Sequence, residues 1–361
     1  MHRFLLLALP LALSTACSEQ HLFTKNDNPN AVAPGSIRGR VCDPSGRTWL
    51  PDAQAYTYLY DENNMIYDTR MAYTDRDGYW LLDELPGEAF YEIWIQYGYD
   101  FLGKEEVWLS AGQEMELEQP ACFDPLQMDV AVITGDYDDF QLVLQDMGFA
   151  NYELIDGLVA VEMKDFLMDL PSMQFYDIIF FNGGHVEEDV IVDTNDSLVP
   201  NGDGFTDDEI IRANIRSYVD GGGALYASDW AYDVVEQVWP DAINFVGDDG
   251  TPDDAQTGEY QTVNAAVSDA SLGSFLGSNY ISVVYDLPVW PPIENVDGLV
   301  SIHLTASVDY RLGRTPYTLP SSPILVSFGS GSGKVAFSTF RVARNATSDI
   351  MATLQYMMYR L

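Results

Sequence analysis

The catalytic chemistry this chain could perform turns on one hydroxyl, Ser228, and on which imidazole could reach it. A serine becomes a nucleophile only when a base within hydrogen-bond reach takes its proton, and a third group usually orients that base. Beyond residue 17 the histidines are His21, His185 and His303. His21 lies in a polar stretch without periodicity, and His303 sits in the apolar alternation SIHLTA, which reads as strand. His185 follows Asn182-Gly183-Gly184 and precedes Glu187 by two positions. Ser228, His185 and Glu187 are therefore the candidates for a hydrolytic triad.

Oxygen ligands offer a second chemistry. Asp193, Asn195, Asn201, Asp203 and Asp207 surround a glycine at position 204, and hard oxygen donors at alternate positions suit Ca²⁺. The segment resembles a degenerate EF-hand or dockerin loop. Val199 and Ile210 stand where such a loop carries its first and last ligands, so a site here would be split, with Asp193 or Asn195 completing it. Asp207, Asp208 and Glu209 also suit the first turn of the helix that follows. A further cluster, Asp248-Asp249-Gly250 with Asp253 and Asp254, reads as a solvated loop. Trp230, Trp239 and Trp290 could line a sugar-binding cleft, although large aromatics more often fill a core.

The elements that must position these residues follow from size and patterning. The chain has 361 residues and a formal net charge of −39, with only 17 lysines and arginines against 56 acids. That balance excludes nucleic-acid backbone binding, which needs clustered cations. It favours solubility and attraction for cations. The length has room for two domains with a sizeable core.

Met1 to Cys17 has a small basic start, His2 and Arg3, and an apolar run from Phe4 to Leu13 that is too short to span a bilayer. The run ends in Ser14-Thr15-Ala16-Cys17, which resembles a bacterial lipoprotein signal, with Ser14 in place of the usual leucine. The resemblance implies a lipid on Cys17, and Ser18 after it implies the outer membrane. Residues 18–35 then read as a tether. With Cys17 lipidated, Cys42 and Cys122 remain as an even pair in an oxidising compartment, and they are expected to form a disulfide.

Residues 36–123 read as all-β. Ile37, Gly39 and Val41 open the region, Ala53 to Tyr60 and Tyr91 to Tyr97 alternate with period two, and Glu114 to Glu118 closes it. Asp77-Gly78 between Tyr73 and Trp80 predicts a hairpin. The order Ile37-Arg38-Gly39-Arg40-Val41, Thr74-Asp75-Arg76-Asp77-Gly78-Tyr79-Trp80 and Leu85-Pro86-Gly87 resembles the carboxypeptidase regulatory-like domain. That resemblance implies a prealbumin-like β-sandwich acting as a non-catalytic spacer or interaction module.

After Asp124-Pro125 the pattern becomes strands alternating with helices, from residue 126 to 361. Strands are expected at Met128–Thr134, Glu153–Ile155, Asp177–Phe181, Ala224–Ala227, Ile281–Tyr285, Leu299–Leu304, Ile324–Phe328 and Lys334–Thr339. Helices are expected at Asp136–Met147, about Met163–Leu170, Asp207–Val219 and Ser348–Arg360. Such alternation predicts a mostly parallel sheet, with the stretch from the 240s to Gly277 as an irregular insertion. Asn182-Gly183-Gly184 and the turn after Ala227 resemble the oxyanion strand and nucleophile turn of the class I glutamine amidotransferase-like fold, a flavodoxin-like α/β architecture. Active members carry Gly-x-Cys-x-Gly at that turn and His-x-Glu after a late strand. Here Ser228 takes the cysteine's place between Tyr226 and Trp230, and Phe340-Arg341-Val342 follows the late strand. An arginine stays protonated and cannot act as a base.

The expectation is thus a multidomain exported lipoprotein, non-catalytic, binding or structural at the cell envelope, periplasmic or at the surface. Calcium is the one cofactor its residues admit, and an envelope protein or glycan is the partner in view. A serine hydrolase using Ser228 with His185 is the alternative, and a carbohydrate-binding surface protein the third reading.

Overall fold

A computed structural model describes residues 32–43, 46, 49–61, 63–97, 100–123, 128–149, 151–192, 207–247, 255–345 and 347–361. The expected signal segment, Cys17, most of the expected tether and the pair Asp124-Pro125 fall outside these residues. Among the described residues no helix is long and apolar enough to cross a membrane.

The first eight strands are β1 (Gly35–Cys42), β2 (Gln54–Tyr60), β3 (Ile66–Tyr73), β4 (Tyr79–Leu85), β5 (Ala89–Tyr97), β6 (Asp100–Leu109), β7 (Glu114–Glu116) and β8 (Ala121–Cys122). They form two four-stranded sheets: β4-β1-β7 with β8 also on β1, and β3-β2-β5-β6. Period-two alternation in β2 and β5 sends Ala55, Ile93 and Ile95 inward, where they join Ile37, Val41, Trp80 and Leu82. The turn at Asp77-Gly78 is not the expected hairpin, because β3 and β4 belong to different sheets. Asp75 accepts hydrogen bonds from Asp77 N (2.9 Å) and Tyr79 N (3.0 Å), Gly78 sits at φ 75°, and the chain crosses between sheets. Strand β6, with Lys104, Glu105 and Glu106 at its centre, lacks the apolar alternation that would have announced it; its residues are ordered by pairing with β5. Cys42 and Cys122 are disulfide-bonded where β8 runs beside β1.

The remaining elements are β9 (Val130–Ile133), α1 (Phe140–Asp146), β10 (Tyr152–Ile155), α2 (Ala160–Met168), α3 (Leu170–Met173), β11 (Ile178–Phe181), α4 (Val186–Ile191), α5 (Asp207–Asp220), β12 (Ala224–Ser228), α6 (Tyr232–Val238), β13 (Ile243–Phe245), β14 (Gln261–Val267), α7 (Ala270–Leu276), β15 (Tyr280–Tyr285), β16 (Ile293–Val296), β17 (Ser301–Leu312), β18 (Thr315–Ser330), β19 (Gly333–Ser338) and α8 (Ser348–Met358). Nine strands make one sheet in the order β10-β9-β11-β12-β19-β18-β17-β14-β15. Pairing is parallel from β10 to β19 and antiparallel from β19 to β15, so only half of the sheet matches the parallel expectation. The stretch from the 240s to Gly277 is not simply irregular: it holds β13, β14 and α7, because QTVNAAV alternates as a strand does.

Both faces of the parallel half are covered. Val130, Val132, Ile178, Phe180 and Tyr226 face one cluster with α1 and α8, while Ala131, Ile133, Ile179, Phe181 and Leu225 face the other with α2, α5 and α6. This period-two partition explains why the strands read as unbroken apolar runs. The first cluster continues into the apolar residues of the two four-stranded sheets. Tyr359 closes that junction, its ring centroid 5.0 Å from those of both Tyr97 and Phe123.

Candidate functional site

The carboxyl ends of β9, β11, β12 and β19 lie on one side of the sheet, and Ser228, His185, Gly183 and Gly184 stand at or just beyond the ends of β12 and β11. Ser228 ends β12 and is almost completely buried. Its hydroxyl donates to Asp138 Oδ2 at 3.3 Å, not to an imidazole. Asp138 also accepts from Val342 N (2.7 Å), Ala343 N (2.9 Å) and Asp139 N (3.0 Å). Burial pushes the Asp138 carboxyl above its ordinary value, against the opposing pull of those backbone donors and of Ser228.

His185 is exposed and pairs through Nδ1 with Asp136. Ser228 and His185 thus engage different carboxylates. Glu187 lies within α4, and its side chain is outside the described residues. Of the calcium candidates, Asp193, Asn195, Asn201 and Asp203 are likewise outside them, as are the acids at 248–254. Asp207 starts α5 and forms an ion pair with Lys164 at 2.6 Å. Among the described residues no group of three His, Cys, Asp or Glu side chains is placed to hold a metal ion.

The bend itself sits one residue later than the sequence pattern places it. Asp229 takes φ 55°, in the left-handed region, and its N–H extends the ladder to Ser338 O at 2.7 Å. The small residues flanking the bend are Ala227 and Ala231, both fully buried, so the local pattern is Ala-Ser-Asp-Trp-Ala. Tyr226 is a core residue of the strand, donating to Ser338 Oγ at 3.0 Å. A carboxylate therefore occupies the place where a strand-to-helix elbow presents its nucleophile. Asp229 is 2% exposed, and Arg341 Nε lies 3.9 Å from its Oδ2. Arg341 also donates through Nη1 to Tyr137 O at 3.0 Å and pairs through Nη2 with Asp286.

Gly183 is required beneath this bend: a Cβ there would lie 2.8 Å from Asp229 Cβ and 3.1 Å from Ser228 O. Its carbonyl accepts from Tyr137 N at 2.8 Å. Gly183 and Gly184 are both buried, and Gly183 acts here as a close-packing residue. Sequence reasoning missed Asp138, Asp286 and the pairing role of Arg341. An acid placed shortly after a buried strand was the available signal for Asp138. Two of the three tryptophans are core residues: Trp290 is buried and stacks on Tyr285 at 3.9 Å, and Trp239 is buried and donates to Ser330 Oγ at 2.9 Å.

No family model matches the chain, and no curated protein matches it either. Solved structures similar to it include a cytoplasmic protein from Salmonella typhimurium, at 15% identity over 63% of this chain and 98% of that one, with a TM-score of 0.40. A ThuA-like protein from Bacteroides uniformis is 12% identical over 65% of this chain and 91% of that one, with a TM-score of 0.41. A GMP synthase subunit from Thermoplasma acidophilum is 8% identical over 64% and 94% of the two chains, with a TM-score of 0.40.

Proposed function

We propose that the chain is an exported lipoprotein, tethered to the outer membrane through Cys17, and that it acts as a binding or structural module with no acyl-transfer chemistry at the elbow. In this reading residues 36–123 are a carboxypeptidase regulatory-like spacer. Residues 126–361 are an amidotransferase-like α/β domain whose elbow carries an ion pair, and Asp193, Asn195, Asn201, Asp203 and Asp207 are the residues that would take calcium.

The observation that supports it is the buried Asp229–Arg341 pair at the bend. A nucleophile must meet its substrate, and Ser228 and Asp229 are both screened from solvent. Ser228 is also bound to a carboxylate held by backbone N–H groups, where an activated serine would face an imidazole.

Fluorophosphonate treatment of the full chain, followed by peptide mapping, tests the elbow claim. No adduct is expected on Ser228; an adduct there, lost in Ser228→Ala, overturns it. Fractionation of cells expressing Cys17→Ala tests the anchor, which predicts transfer of the protein from the membrane to the soluble fraction.

A further inference from the structure

The antiparallel half of the large sheet carries a second constellation, distinct from the elbow. His303 lies on β17, Ser327 on the neighbouring β18, and Asp269 at the N-cap of α7 after β14. His303 Nε2 is 2.7 Å from Ser327 Oγ, and His303 Nδ1 is 2.8 Å from Asp269 Oδ2. Hydroxyl, imidazole and carboxylate therefore stand in line, each ring nitrogen committed to a different partner.

We propose that Ser327, His303 and Asp269 form a hydrolytic triad that cleaves carboxylic esters entering the cavity they line. A triad is recognised by the geometry and roles of its members and not by their order along the chain. Asp269 is fixed from several sides. Its Oδ1 accepts from Ser271 N (2.8 Å) and Leu272 N (3.2 Å), capping α7. Its Oδ2 accepts from the Tyr356 hydroxyl at 3.0 Å as well as from His303. A carboxylate held this way sets the imidazole tautomer: Nδ1 keeps its proton and Nε2 is left to accept one.

The protonation states agree. Burial lowers the His303 pKa, outweighing the pull of Asp269, so the ring is a neutral base at neutral pH. Burial opposes ionisation of Asp269, but hydrogen bonds from His303, Leu272 N, Tyr356 and Ser271 N prevail and hold its carboxyl below the ordinary value.

Access distinguishes this serine from Ser228. Ser327 is only partly buried, and with His303 and Asp269 it lines a cavity of about 570 Å³. Leu299 and Phe328 supply apolar wall, and Lys334 brings positive charge to the same cavity. In the first step Ser327 Oγ bonds to the ester carbonyl carbon while its proton passes to His303 Nε2. The tetrahedral intermediate then expels the alcohol, which leaves with that proton. Water, deprotonated by His303, attacks the acyl-serine and releases the carboxylic acid, restoring the Ser327 hydroxyl.

The test uses the full chain with p-nitrophenyl acetate and a fluorophosphonate, with adducts located by peptide mapping. The expected result is an adduct on Ser327 and nitrophenol release reduced at least about 100-fold in Ser327→Ala. That substitution removes one oxygen, and an unchanged thermal melt shows that the fold is kept. Asp269 is a positioning residue, so Asp269→Asn should lower kcat with KM unchanged. Equal hydrolysis by the Ser327→Ala and unaltered proteins, with no adduct on Ser327, overturns the proposal. An adduct on Ser228 instead would count against the silent elbow, so the two readings fail separately.

Discussion

Arg341 and Asp229 lie 112 positions apart in the chain, and their side chains, 8% and 2% exposed, place Nε 3.9 Å from Oδ2 beneath the bend that follows β12. Removing one partner of a buried ion pair leaves the other charge in a medium that cannot solvate it. Arg341→Leu is therefore expected to destabilise the fold by roughly 3 kcal/mol or more. Arg341→Leu combined with Asp229→Asn should recover much of that loss, as read by urea unfolding.

Asp138 ties the loop after β9 to the loop after β19 through Val342 N and Ala343 N. Asp138→Ala leaves these two donors without their acceptor, and a loss of about 2–4 kcal/mol is expected.

The same carboxyl has a pH signature. Burial, its largest cause, raises the folded-state pKa of Asp138 above the unfolded value. Its contribution to stability is thus fully present below the unfolded pKa and falls away as pH rises through the folded one. Asp138→Asn lacks this slope, so the stability of the variant relative to the unaltered protein should improve as pH rises from about 4. A pH series of urea melts reads the trend.

His303 behaves in the opposite sense. Burial depresses its folded-state pKa below 6.5, so its contribution is present above that value and is lost as pH falls from there through the folded pKa. Stability should decline between neutral pH and pH 5 by less in His303→Gln than in the unaltered protein. An identical decline in both would remove His303 as the cause.

The disulfide between Cys42 and Cys122 closes a loop with a sequence separation of 80. In the chain-entropy picture such a link stabilises by about 4 kcal/mol. Reduction, or Cys42→Ala with Cys122→Ala, should lower the denaturant midpoint, and an unchanged midpoint would sink this expectation.

Much of the architecture is legible in the residues because it is local. The alternation of Ala53–Tyr60 and the four-residue apolar runs at Val130 and Ile178 could bury their faces in only a few ways. The Asp77-Gly78 turn was legible as a turn but not as a crossing between sheets, since the same backbone bend serves both. Strand β6 and the extended arms of β17 and β18 were not legible, because their exposed residues carry no periodic apolar signal.

The site divides in the same way. By itself the sequence determined the alternation that builds the sheet and the pairing of Cys42 with Cys122, because these depend on residue type at short range or on parity; that Gly183 lies under the bend was for the structure to show. Only the tertiary structure decided that the bend falls on Asp229, that Arg341 reaches it, and that His303 stands between Ser327 and Asp269. Those outcomes depend on strand register and on which loops meet above the sheet. A one-residue change in register exchanges a buried hydroxyl for a buried charge, and nothing local in the chain records which of them arrives.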